Sequence, residues 1–226
     1  MMPATSDEPP TISKTLWARG GKRVFDMFAA ALLLILLSPL LLAAGLLVKL
    51  TSRGPLFFIQ ERAGRGGAVF RVVKFRTMRG GRTPDPKELV PLDHPDITRI
   101  GWLLRRLNID ELPQLTHVLS GDMSLVGPRP TLPDQVAAYD DFRRQRLLVR
   151  PGITGLAQVN GSTAIPWDER ILFDIAYVRR CSLRMDLGIL LRTKWVLLAG
   201  EGRYARPFKD SPYASYVTPP EGYNTT

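Results

Sequence analysis

VFDMFAAALLLILLSPLLLAAGLLVKL, residues 24–50, decides the fold. Its 27 residues exceed the roughly 20 apolar residues needed to cross a bilayer core, so the segment belongs in a membrane. It is longer than the apolar region of a cleaved signal peptide, and no small-residue cleavage site precedes a polar mature start. A plain transmembrane helix is the stronger alternative, and Ser38 and Pro39 argue against it. Pro39 has no N–H for the carbonyl of Ile35, and its ring presses on that carbonyl, so a kink is expected. Ser38 can bond a freed backbone oxygen. The parts before and after the break reach about 22 Å and about 18 Å, each short of a ~30 Å hydrocarbon core.

Charge at the flanks points the same way. Lys14, Arg19, Lys22 and Arg23 precede the segment, and Lys49, Arg53, Arg62 and Arg65 follow it. Positive residues prefer the cytoplasmic side of a membrane. Both flanks are satisfied if the helix enters one leaflet, turns at Ser38 and Pro39, and leaves on the same side. A kinked span is the alternative.

The 226-residue chain is long enough for one domain with appendages. Its Lys and Arg outnumber Asp and Glu by 31 to 21, a formal charge of +10, so its partners are anionic. A single cysteine, Cys181, excludes internal disulfides and any multi-cysteine metal site. His94 and His117 are too few for a His-based zinc site.

Beyond Gly54, β-rich runs at Leu56–Gln60 and Val69–Phe75 flank a glycine turn, Gly64–Gly67, and read as a hairpin. Residues 79–98 read as loop. Ile100–Leu107 reads as a basic amphipathic helix and Asp110–Leu119 as another, with Pro113 in its first turn. GDMSLVGPRP (121–130) and RPGITGLAQVNG (150–161) read as irregular, Pro133–Leu148 as helical, and Pro166–Ala199 as two helices separated near Cys181 and Ser182. The last helix suits either the membrane interface or the core. The fold class is α+β and mainly helical: a monotopic membrane protein with an N-terminal re-entrant helix, a small hairpin and amphipathic interfacial helices. Its expected parts are a flexible N-terminus (1–20), the re-entrant helix (21–53), a cytoplasmic catalytic domain (54–202) and a flexible tail (203–226).

Within that domain, NIDELPQL (108–115) sets Asp110 beside Glu111 between apolar neighbours. Taken alone, such a pair reads as the capped first turn of a helix. Three stretches together change this: NIDELPQLTHVLSGDMSLVGPRP, RPGITGLAQVNG and the upstream KFRTM. They closely resemble the bacterial sugar transferase family, monotopic phosphoglycosyl transferases acting on polyprenyl phosphate, over roughly Lys22 to Gly202.

The resemblance implies transfer of a sugar 1-phosphate from a UDP-sugar to polyprenyl (undecaprenyl) phosphate, with release of UMP. Asp110 resembles the nucleophile, and Glu111 its acidic partner associated with Mg²⁺. Arg129 resembles a phosphate-contacting residue, and Lys74 and Arg105 resemble further active-site cations. Ser38 and Pro39 match the pair that turns the re-entrant helix. Arg150, Thr154, Gln158 and Asn160 are polar candidates around the nucleotide sugar, whereas Gly152 and Gly155 also suit plain turns. The chain looks like the family's minimal form.

This chemistry suits the residues. A carboxylate nucleophile forms an acyl phosphate and splits one difficult transfer into two displacements. Magnesium favours one or two carboxylates plus phosphate oxygens, which relieves the like charges of the pair. An arginine fork between prolines suits a phosphate. The expected location is the cytoplasmic face of a bacterial inner membrane, among membrane lipids, without nucleic acid. Two alternatives are a glycosyltransferase that moves the sugar without its phosphate, and a non-enzymatic, membrane-tethered basic binding module.

Overall fold

The computed structural model describes residues 12–79, 90–199 and 201–223. Helix α1, Lys22–Thr51, is among the described residues the one helix long and apolar enough to cross a membrane. Its helical course continues through Pro39, so the helix is not interrupted at the expected break. The Ser38 hydroxyl donates to the Ile35 carbonyl at 2.8 Å, serving the oxygen that Pro39 cannot.

Both ends of α1 are fastened to the globular part, while Leu32, Ile35, Leu36 and Leu42 between them are exposed. At the entry, the Arg23 guanidinium donates to the carbonyls of Val118 and Leu119. At the exit, Ala44 and Val48 pack with Phe75 and Leu104, and Arg76 donates to the carbonyls of Ser52 (2.7 Å) and Arg53 (2.8 Å).

The hairpin forms as its sequence requires: β1 (Phe57–Ala63) and β2 (Val69–Phe75) pair antiparallel, with Phe58 opposite Lys74 and Arg62 opposite Phe70. Directly opposed residues share a face, and so do alternate residues along each strand. Arg62 and Lys74 therefore lie on one face. Of the expected loop 79–98, residues 80–89 lie outside the described residues; Met78 and Ile97 at its ends bridge to each other.

Helix α2, Arg99–Arg106, begins at Thr98, whose hydroxyl accepts from the Gly101 amide at 2.8 Å. Gly101 is required by contact: a Cβ there would lie 1.9 Å from the Thr77 carbonyl oxygen. The next segment departs from expectation. Ile109–Gln114 is a 3₁₀ turn introduced by Asn108 in the left-handed region (φ 52°), without a side-chain cap. The α-helix starts only at Leu115, as α3 (Leu115–Ser120), and stops at Gly121 (φ 100°).

The two signature stretches expected to be irregular each contain a short strand. β3 (Ser124–Val126) and β4 (Gly152–Thr154) pair in parallel. A Cβ on Gly152 would meet the Gly127 nitrogen at 2.1 Å, so only glycine admits this approach. The expected single helix Pro133–Leu148 is instead α4 (Pro133–Ala137), α5 (Asp141–Arg144) and a 3₁₀ turn, Gln145–Leu148. Asp140 divides them by accepting from the Arg143 amide at 2.7 Å.

The core is built on α6, Trp167–Arg180, whose Ile171, Phe173, Ile175 and Tyr177 are fully buried. Helix α7, Leu183–Ala199, buries Asp186, Ile189 and Val196 and exposes Leu187, Leu191, Trp195 and Leu198. It has one core face and one open apolar face. The tail expected to be flexible is packed: Phe208 and Val217 are buried, and Phe208 meets Phe173 edge-on at 5.0 Å. Residues 1–11 of the expected flexible N-terminus lie outside the described residues. The Ser13 hydroxyl beyond them donates to the Cys181 carbonyl at 2.7 Å.

Candidate active site

The 3₁₀ turn Ile109–Gln114 carries Asp110 and Glu111 against β2, with α2 beside it. Lys74 on β2 donates to Glu111 Oε1 at 2.7 Å. Arg129, in the proline-flanked loop after β3, grips the same carboxylate with Nη2 at 2.6 Å from Oε1 and Nη1 at 3.3 Å from Oε2. Arg105 on α2 is held by its Nε on Thr77 Oγ1 at 2.8 Å and its Nη1 on the Val90 carbonyl at 3.3 Å. Asp110 is only 8% exposed and lies in the field of Lys74, Arg105 and Arg129. The structure thus brings together all five residues expected around the diphosphate.

The two carboxylates ionise very differently. Burial and then the neighbouring Glu111 charge push Asp110 up to about 6, against the pull of Lys74, Arg105 and Arg129. Burial acts on Glu111 too, but Arg129 and Lys74 outweigh it and hold this carboxyl well below the usual range. Burial lowers Lys74, with Glu111 opposing. One acid is thus gripped by two cations; the other, among the described residues, is not tied to a cation by an ion pair. Paired acids with separated ionisation are the pattern expected when the two have different tasks.

Arg62 was read from sequence only as a basic flank of the membrane segment, and the structure adds it to this site. Burial and then Arg129 lower its pKa to about 10, with Glu111 opposing. It donates to Gln60 Oε1 at 2.6 Å and 3.1 Å and to the Pro130 carbonyl at 3.4 Å. Four cations, Arg62, Lys74, Arg105 and Arg129, therefore face two carboxylates, and the net positive charge suits a diphosphate.

The other four candidates take scaffold bonds. Arg150 Nε donates to the Gly121 carbonyl at 2.8 Å, and the Thr154 and Thr193 hydroxyls lie 2.7 Å apart. Gln158 donates to the Ile153 carbonyl at 3.0 Å, and buried Asn160 to the Leu156 carbonyl at 2.7 Å. Their stretch supports the arginine loop through the backbone: the Gly127 amide donates to the Thr154 carbonyl, and the Gly152 amide to the Pro128 carbonyl, both at 2.9 Å. Beneath the loop, buried Arg146 donates to the Arg129 carbonyl at 3.1 Å and pairs with Asp174 at 2.5 Å.

Among the described residues no cluster of three or more His, Cys, Asp or Glu is arranged to hold a metal. The Asp110–Glu111 pair still fits magnesium, which takes one or two carboxylates and completes its shell with phosphate oxygens and water. Glu111 Oε2 carries only the longer, 3.3 Å bond and retains accepting capacity.

The model of the bacterial sugar transferase family matches residues 17–200. The chain is 45% identical over 181 residues to an uncharacterized sugar transferase, EpsL, of Bacillus subtilis, covering 80% of this chain and 89% of that protein. It is 46% identical over 197 residues to the UDP-glucose:undecaprenyl-phosphate glucose-1-phosphate transferase of Caulobacter vibrioides, covering 81% of this chain and 72% of the relative. It is 42% identical over 187 residues to the UDP-N-acetylgalactosamine-undecaprenyl-phosphate N-acetylgalactosaminephosphotransferase of Aeromonas hydrophila, covering 80% of this chain and 44% of that one.

Proposed function

The chain belongs to the bacterial sugar transferase family, and from that premise we propose that it is a phosphoglycosyl transferase working through a covalent aspartyl intermediate. The donor is a UDP-sugar, the acceptor polyprenyl phosphate, and the products are polyprenyl-diphosphate-sugar and UMP. The observation that carries this reading is the buried Asp110 beside a Glu111 gripped by Lys74 and Arg129.

The donor diphosphate lies among Arg129, Arg105, Arg62 and Lys74, which offset its charge and that developing on the leaving phosphate. An ionised Asp110 oxygen attacks the phosphorus bearing the sugar. The new Asp–O–P bond forms as the bridging P–O bond to UMP breaks, and the bridging electron pair leaves with UMP. A phosphate oxygen of the acceptor then attacks the same phosphorus, which restores the Asp110 carboxylate. Glu111 keeps Lys74 and Arg129 oriented throughout. Glu111 would hold magnesium, and the ion would supply charge neutralisation on the diphosphate.

The acceptor has its tail in the bilayer and its phosphate at the surface, so the site belongs at that boundary. Two features support a helix that dips into one leaflet: α1 is fastened to the globular part at both ends, and its middle is exposed and apolar. Its basic flanks favour the cytoplasmic face of the inner membrane. The exposed Leu187, Leu191, Trp195 and Leu198 of α7 suit the same interface.

The test is a donor labelled in the phosphate next to the sugar. Label passing into lipid with UMP as co-product is expected; label left in UDP means that only the sugar moves, and the proposal fails. A pH profile checks the nucleophile. Asp110 titrating at about 6 is a carboxylate above that pH and a protonated, non-nucleophilic acid below it. kcat/KM for the donor is therefore expected to fall about tenfold per pH unit below pH ~6. A profile flat down to pH ~5 would exclude Asp110 in this role.

A further inference from the structure

Asp26 lies in the second turn of α1, is 3% exposed, and is not part of the site described above. Its carboxylate is turned to β3. Ser124 Oγ donates to Oδ2 at 2.7 Å, and the Leu125 amide donates to Oδ1 at 3.3 Å. Lys22 approaches Oδ1 at 3.7 Å while donating to Asp186 Oδ2 at 2.7 Å. Asp186 also accepts from Trp17 Nε1 at 2.8 Å. The Tyr177 hydroxyl lies 2.7 Å from Asp186 Oδ1 and 3.0 Å from the Val126 carbonyl. All three residues of β3 are thereby tied, directly or through Asp186 and Tyr177, to the start of the apolar helix.

β3 ends three residues before Arg129, and Pro128 and Pro130 stiffen the connection. A shift of β3 is therefore passed on to the guanidinium that grips Glu111. We infer that Asp26 is a positioning residue: it couples the seating of the apolar helix to the placement of Arg129. A carboxylate in this place would otherwise be costly, because a buried charge needs hydrogen-bonding partners, and β3 supplies two of them. The inference rests on the proposed role of Arg129 as a holder of donor phosphate.

The test is a double-mutant cycle on the full chain in lipid nanodiscs, reading UMP release. Asp26→Ala is expected to lower turnover on the order of tenfold, since a misplacement near 1 Å costs up to about a hundredfold. In an Arg129→Ala background the same change is expected to cost less than about twofold, because nothing is left to misplace. Ser124→Ala removes one of the two β3 donors and should follow the same pattern at about threefold, and it carries the test if Asp26→Ala does not fold. Equal losses in both backgrounds would show a purely structural role and overturn the inference. Wild-type enzyme is checked alongside for a phosphosugar adduct. Adduct with additive losses removes only the role of Asp26; product formed at full rate without adduct removes the aspartyl intermediate, and the cycle then decides the role of Asp26 by itself.

Discussion

Asp110→Asn is expected to abolish turnover, by at least about 10⁴-fold, without loss of fold stability. The amide keeps the shape of the side chain but cannot attack phosphorus, so neither half of the transfer proceeds. Stability is expected to move the other way. A carboxyl whose pKa is raised to about 6 by burial and by Glu111 destabilises the folded chain progressively as pH rises from its ordinary range to about 6, and by the full amount above that. Removing the charge relieves this at neutral pH, so the thermal midpoint of Asp110→Asn should equal or exceed that of the wild type. Steady-state UMP release and thermal unfolding at pH 7.5 check both halves. A variant that is inactive because it is unfolded would not count, and one that retains turnover would remove Asp110 from the chemistry.

Arg129→Ala is expected to lower kcat by about 10²- to 10³-fold, the cost of losing a charge-stabilising donor at a reacting centre. Its side chain is half exposed while that of Glu111, which it grips, is largely enclosed, so the guanidinium is the more accessible of the two. Glu111 is also affected. Arg129 is the larger of the two cations that overcome its burial, so Glu111 should titrate at higher pH in the variant. Arg129→Lys restores charge without the two-pronged contact and should recover only part of the rate. Steady-state kinetics of the three proteins at saturating donor decide this; equal kcat for Ala and wild type would place Arg129 outside the reaction.

Where periodicity and punctuation are local, the sequence is readable. The β-rich runs around Gly64–Gly67 gave the hairpin, and the Ser38–Pro39 pair gave the hydroxyl-to-Ile35 repair found in α1. The family motifs gave the five residues that converge at the site. What escaped depends on distant contact. β3 and β4 have three residues each and pair across more than twenty positions, so no local pattern marks them. Pro133–Leu148 is divided by Asp140, a residue type that caps helices and whose carboxylate takes the Arg143 amide. The tail looked loose for its many Pro, Tyr, Ser and Thr residues, yet Phe208 and Val217 find buried places against the core. Arg62 was recoverable: strand alternation sets it on the face of Lys74 once the hairpin register is known.

The most direct test of the mechanism is the intact mass of the enzyme incubated with UDP-sugar and Mg²⁺ in the absence of polyprenyl phosphate. The expected result is a mass gain of one sugar phosphate, located by peptide mapping at Asp110 and discharged on addition of the lipid acceptor. Lipid product forming at full rate from enzyme that never gains this mass would contradict it.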